Sequence, residues 1–219
     1  VVRKRQQEWD SPWGVGFPGW HIECSAMAMK YLGETFDLHT GGEDHVSVHH
    51  TNEIAQSESA TGKKFVNCWM HGAFLKFQGE KVSKSTGGLY RISELEDEGY
   101  NSLAFRYLCL MTHYRKTLNF SLGNLDAARK AFLRLERKVI ELRKEEHKGK
   151  DFSDKYSKMF VEAVNDDLNL PKALDVFWTA INDFGFSPAK KIILLEKFDE
   201  VLGLGIKEIK ERKMSIGNS

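Results

Sequence analysis

No stretch of this chain approaches the length and apolarity of a membrane-spanning helix, so no membrane partner is expected. The N-terminal residues Val1-Val2-Arg3-Lys4-Arg5 lack the apolar run of a secretory signal. Cysteine is scarce and odd in number. Cys24, Cys68 and Cys109 show no disulfide-framework spacing, so a reducing compartment, the cytoplasm, is expected. Cys68 and Cys109 sit among apolar and aromatic neighbours and read as ordinary packed thiols. An excess of one charge is also missing. A formal net charge of +1 does not mark a nucleic-acid binder, because non-specific affinity scales with the basic residues that reach phosphate. What remains is 219 residues, 41% hydrophobic and 29% charged, which suits a soluble globular chain of one or two domains.

Local charge says more than the total. His113-Tyr114-Arg115-Lys116 and the run from Arg129 to Lys150 are rich in Lys and Arg, although Glu136, Glu141, Glu145 and Glu146 dilute the second. Mixed charge on a helix is ordinarily a solvated face, so the pattern permits an RNA partner without demanding one.

Two kinds of periodicity divide the chain. Up to about residue 120, short apolar runs alternate with turn signals. An extended stretch, Thr35-Phe36-Asp37-Leu38-His39, precedes Gly41-Gly42-Glu43-Asp44 and a helix from about Val48 to Ala60. A strand, a glycine turn and a helix N-terminus make a ready site for a nucleotide. Phe65–Trp69 and Ala73–Phe77 read as further strands, ending in a polar loop from Gln78 to Gly88. Beyond, Leu125, Ala128, Phe132, Leu135, Val139 and Leu142 alternate spacings of three and four, the seam of a long helix that ends at Lys148-Gly149-Lys150. Ser153 is an expected N-cap for a helix carrying Tyr156, Phe160 and Val164. Pro171 opens a helix with Leu174, Phe177 and Ile181 inward, and Ser187-Pro188 opens another that Gly203 stops. The expected fold is α/β followed by all-α, with domains at 1–122 and 123–219.

Cys24, His49 and Glu53 combine a soft thiolate, an imidazole and a carboxylate. His49 and Glu53 are four residues apart, so on a helix they share a face. Zinc accepts all three donor types, and a set of three leaves an open coordination position. Spacing alone leaves blander alternatives open, a packed thiol and a solvated His-Glu pair. A metalloprotease would need His-Glu-x-x-His, and no second His follows Glu53 by one turn.

Longer motifs carry more. Trp9-Asp10-Ser11-Pro12-Trp13-Gly14, Pro18-Gly19-Trp20-His21-Ile22-Glu23-Cys24-Ser25-Ala26-Met27, Asp37-Leu38-His39, His49-His50 with Asn52-Glu53-Ile54-Ala55-Gln56-Ser57-Glu58, and Lys81-Val82-Ser83-Lys84-Ser85 occur in one order. Together they resemble the cysteinyl-tRNA synthetases, a class I aminoacyl-tRNA synthetase family. The resemblance implies the second half of a Rossmann-like catalytic domain plus a helical anticodon-stem-binding bundle. It implies a cytoplasmic, monomeric ligase using L-cysteine, ATP with magnesium, and cysteine tRNA. Cys24, His49 and Glu53 fall at the family's zinc ligands, and Trp20 at the aromatic wall of the cysteine pocket. His39, Gly41, Gly42 and Asp44 match the adenosine cradle. Lys81 and Lys84 match the loop lysines that stabilise ATP's phosphates, and Asp166-Asp167-Leu168-Asn169-Leu170-Pro171 matches a recurrent segment of the bundle.

The chemistry suits that identity. Cysteine and serine differ by one atom, and a steric pocket separates such analogues by only ~1–3 kcal/mol. A soft-metal contact to the thiolate does better than shape. The departures are Val82 for Met, Phe17 for Arg, and Thr40, His45, Ser47, Val48 and Thr51; all leave the metal and lysine positions intact. The family's first half, with a further Cys ligand and a His-Ile-Gly-His motif, has no counterpart here, so a fragment is expected. Two other functions fit less well, a ligase joining cysteine to an aminosugar and a non-enzymatic RNA-binding remnant. Glu53 and the stretch from Tyr114-Arg115 to Asn119-Phe120-Ser121 favour the tRNA enzyme.

Overall fold

The computed structural model describes residues 7–77, 91–145 and 155–211, with the backbone alone at residues 80–81. The chain forms two compact units, Val1–Phe74 and Leu75–Ser219. Among the described residues no helix is long and apolar enough to cross a membrane.

In the first unit, helix α1 (Trp20–Leu32) begins after Gly19 and stops at Gly33. Gly19 has φ 86°, and a Cβ there would strike the His21 ring at 2.6 Å, so both backbone and space require glycine. This helix was not among the expected elements. Strand β1 (Phe36–Gly42) leads through a single 3-10 turn (Glu43–His45) into α2 (His49–Thr61) and back to β2 (Val66–Gly72). The two strands are parallel, Phe36 facing Val66 and Gly42 facing Gly72, and parallel pairing needs a crossover such as α2. One expectation is corrected here. Gly41 and Gly42 belong to β1 rather than to a turn, because β2 extends far enough to pair with both. A second correction concerns Cys68, which is exposed on β2 rather than packed.

The second unit has a conventional core. Strand β3 (Leu75–Phe77) pairs antiparallel with β4 (Glu80–Lys81) and parallel with β5 (Leu118–Phe120). Helices α3 (Ile92–Asp97) and α4 (Ser102–Leu110) precede β5; the Asn101 side chain caps α4 by accepting from Leu103 N–H. Then come α5 (Leu122–Lys144), α6 (Lys155–Asn165), α7 (Leu170–Asn182) and α8 (Pro188–Leu202), closed by a 3-10 turn at Ile206–Glu208. Ser121, Asn169 and Ser187 cap α5, α7 and α8, and Gly203 (φ 61°) ends α8 in the left-handed conformation.

All six seam residues expected on α5 are buried, as are Leu174, Phe177 and Ile181 on α7. On α6, Tyr156 and Phe160 are buried, but Ala163 takes the next inward position and Val164 is only partly covered. Phe160 stacks on Phe198 with ring centres 4.0 Å apart. The compact units divide at Phe74/Leu75, upstream of the expected 122/123 boundary, because β3 pairs with β5 and α4 packs against α5. The expected Lys148-Gly149-Lys150 stop, the Ser153 cap and most of the Gln78–Gly88 loop lie outside the described residues.

Candidate metal centre and active site

Helix α2 buries an unusual stripe. Its inward residues are His50, Glu53 and Ser57, spaced by three and four like an apolar seam, yet every one is polar. Across from it, the buried residue of α1 is Ser25. Phe65 and Val66 are the only fully buried apolar side chains among the described residues of this unit. Buried oxygens of Ser25, Glu53, Gln56 and Ser57 find no hydrogen-bond partner among the described residues. Such groups in native interiors are ordinarily satisfied by ordered water, an ion or a ligand.

Glu53 is at the centre, 0% exposed. Its Oε2 lies 2.8 Å from His39 Nε2 on β1. Its Oε1 is 3.4 Å from His49 Nε2 and is the orphaned oxygen. Cys24, one turn into α1, joins them: the donor atoms of Cys24, His49 and Glu53 all lie within 4.8 Å of one another. Zinc accepts sulfur, nitrogen and oxygen donors of these three kinds, and the 3.4 Å between His49 Nε2 and Glu53 Oε1 suits two ligands of one ion. Burial pushes the Cys24 thiol up, and the Glu53 and Glu23 charges add to this. Without a cation, thiolate and carboxylate oppose each other; a divalent ion between them reverses that relation. The three donors therefore fit a zinc ion.

A second layer of imidazoles surrounds Glu53. His39, His50 and Glu53 also converge within 4.8 Å. His50 Nδ1 and His71 Nε2 share a hydrogen bond of 2.7 Å, and His45 packs its ring 5.0 Å from His49 and 5.1 Å from His50. Burial, followed by the neighbouring His39, His71, His45 and His49, lowers the His50 pKa to about 4, so this ring is neutral at physiological pH. His50, His71 and Trp69 were not singled out from the sequence; His71 faces Gly41 across the β1–β2 register, a relation that requires the sheet.

The expected nucleotide residues lie along the same strand. A Cβ at Gly41 would collide with the His50 ring, and one at Gly42 would meet the Asp44 carboxylate at 2.5 Å. Gly41 is thus required by the packing of the buried His50 ring, whereas at Gly42 the Asp44 carboxylate could turn aside. Trp20, 68% exposed at the start of α1, meets the His49 ring edge-on at 5.7 Å. The structure brings Cys24, His49, Glu53, His39 and Trp20 together. Lys81 belongs to the other unit, its backbone on β4 paired with Lys76, and Lys84 lies outside the described residues.

Comparison with known proteins now places the chain. It matches a solved LeuRS from Agrobacterium radiobacter K84, in a ternary complex with tRNA and LeuAMS, with TM-score 0.61 and 17% identity over 80% of this chain and 26% of that one. The fold is that of class I aminoacyl-tRNA synthetase catalytic domains. The family described as tRNA synthetases class I (C) catalytic domain matches residues 2–130. A cysteine–tRNA ligase of Burkholderia lata is 49% identical, the match covering 94% of this chain and 43% of the relative. One from Borrelia hermsii is 40% identical, covering 94% and 46%. The chain belongs to the class I (C) tRNA synthetase family, that of the cysteinyl-tRNA synthetases. It spans less than half the length of these curated relatives.

Proposed function

We propose that this chain supplies the zinc site, the phosphate-facing lysines and the RNA-binding helices of a cysteine–tRNA ligase. The observation that carries this is the meeting of Cys24, His49 and the buried Glu53 carboxylate, whose Oε1 has no hydrogen bond among the described residues. Zinc held by Cys24, His49 and Glu53 would offer substrate cysteine a soft contact for its thiolate, which serine's hydroxyl matches poorly. Trp20 walls that position, while His39, Gly41, Gly42 and Asp44 on and after β1 cradle the adenosine of ATP, which arrives with magnesium. The cysteine carboxylate attacks the α-phosphorus, pyrophosphate leaves, and the acyl group then passes to cysteine tRNA with release of AMP. Lys84, assisted by Lys81, stabilises the charge that develops on the phosphates. The working form is a cytoplasmic monomer.

The domain reading, 1–122 catalytic and 123–219 RNA-binding, gains detail from α5. Arg129 pairs with Asp126 and covers Tyr100, and Arg134 stacks on Trp178. Lys138 pairs with Glu141, Arg143 donates to the Ile209 and Ile206 carbonyls, and Lys144 pairs with Glu211. Lys130, Arg137 and Lys210 instead line a cleft of about 500 Å³ with Leu133, Glu136 and Ile140. These three cations suit RNA phosphate, a contact that positions without specifying sequence.

Cysteine-dependent ATP–pyrophosphate exchange by the whole protein, with serine as control, tests the ligase. Exchange with cysteine and transfer to an aminosugar rather than tRNA would replace this reading with the aminosugar ligase; no exchange at all would leave the RNA-binding remnant. Zinc analysis of the 219-residue chain tests the site separately. Wild type should carry zinc and Cys24→Ser should not; equal zinc in both removes Cys24 from the site.

A further inference from the structure

We infer that His39 acts as a positioning residue for the metal-facing carboxylate of Glu53, a role distinct from the adenosine contact assigned above. The inference rests on the zinc reading, and the experiment below separates the two. Its starting point is geometric. Glu53 is fully buried, and its ion-pair partners among the described residues are His39 and His49. A carboxylate that holds a metal is ionised and offers only acceptors, so in that role it takes the hydrogen of the 2.8 Å contact from His39 Nε2. That bond occupies Oε2, while Oε1 lies 3.4 Å from His49 Nε2 and has no hydrogen bond among the described residues.

The neighbours of His39 make the bond directional. The His39 ring lies against Trp69 at 4.7 Å and His50 at 4.7 Å, and Phe36 closes a third side at 5.6 Å. His39 therefore cannot swing toward solvent without leaving these contacts, and its backbone is held by pairing opposite Trp69 on β2. Glu53 needs such a guide. A glutamate side chain has three torsions, and one turn of α2 fixes only where it starts. A partner on a neighbouring strand fixes where it ends. Groups that hold a metal's carboxylate ligand from behind set its orientation, and their removal weakens metal binding about 10- to 100-fold.

The test measures zinc affinity of the full 219-residue chain by competition with a chromogenic chelator, in wild type and in His39→Ala, His39→Gln, Glu53→Ala and the His39→Ala/Glu53→Ala pair. The amide of Gln reaches the position of Nε2 and keeps an N–H donor. His39→Ala should weaken zinc by about 10- to 100-fold, and His39→Gln should recover most of the loss. In the Glu53→Ala background, His39→Ala should have no further effect, because a residue acting through Glu53 has nothing left to orient. Cobalt substitution adds a spectroscopic reading. The thiolate charge-transfer band should persist in His39→Ala, showing Cys24 still bound, while the d–d bands shift as the carboxylate loosens.

Unchanged zinc affinity in His39→Ala overturns the inference and leaves the zinc site standing. Equal loss in His39→Ala and His39→Gln overturns it too, since the donated hydrogen would not be the cause. An additive effect in the double variant means that His39 acts independently of Glu53 and overturns it as well. Wild-type protein that takes up no zinc removes the site and this role together. If His39→Ala fails to fold, His39→Leu, which fills the space without offering a hydrogen, takes its place in each comparison with the same expected and overturning outcomes.

Discussion

Helices α2 and α5 show the same inward spacing and opposite chemistry. Along α5 the residues at three- and four-residue intervals are Leu125, Ala128, Phe132, Leu135, Val139 and Leu142; along α2 they are His50, Glu53 and Ser57. The first stripe is stabilised by removal of apolar surface from water, about 25 cal/mol per Å². The second gains little from that source and carries the desolvation of polar groups, some of them without partners. Each helix also begins differently. The Ser121 hydroxyl accepts from Asn124 N–H at the start of α5, whereas Val48 precedes α2 with no side-chain cap. A helix that folds for its own stability looks like α5. One with a polar buried face, held in place by its neighbours, looks like α2.

The largest expected effect breaks the apolar side of this comparison. Phe132, 2% exposed, should cost about 3–5 kcal/mol when replaced by Ala, measured by urea unfolding, with zinc stoichiometry unchanged. Loss of zinc in that variant would show that the two helices are not separable in role. On the polar side the sign should invert. With zinc chelated, Glu53→Gln removes a buried charge yet keeps an acceptor for His39, so hydrogen exchange in α2 should slow by the equivalent of about 1–2 kcal/mol. Faster exchange would mean that the carboxylate stabilises the unit even without metal. Ser121→Ala should cost about 1 kcal/mol and accelerate exchange in the first turn of α5. No change there would remove the cap from the contrast.

Acid should sharpen the difference at the smallest scale. In metal-free protein, folding holds the His50 pKa at about 4 against an ordinary value of 6.5. Between those values the unfolded chain binds more protons, so this unit loses stability as pH falls from about 6.5 toward 4. In the second unit, Asp167 accepts hydrogen bonds from Arg115 and Tyr114, which hold its pKa at about 2 against 3.8. Its contribution is full above pH 3.8 and is lost only as pH falls toward about 2. Exchange measured segment by segment should therefore respond first around α2 and later at the α6–α7 turn. Simultaneous loss would contradict the two separate environments.

Legibility followed the same division. The α5 seam, the Pro171 and Ser187 starts and the Gly203 stop were readable because each depends on neighbours within a turn or two. Helix α1 was not, since its boundaries are set by Gly19 and Gly33 while its buried face offers Ser25 in place of an apolar stripe. Cys24, His49 and Glu53 could be nominated from donor chemistry and from a family resemblance. Their convergence, and the use of His39 against Glu53, could not be read from spacing.

By itself the sequence determined the helical second half, the caps and the chemical types available for a metal, because local torsional preference and hydrophobic period act over a few residues. Tertiary structure decided the rest. It placed α1 against α2 so that Cys24 reaches His49 and Glu53, and set β1 beside β2 so that His71 faces Gly41, the glycine whose missing side chain admits His50. These relations join residues distant along the chain, and only packing determines which donor ends beside which oxygen.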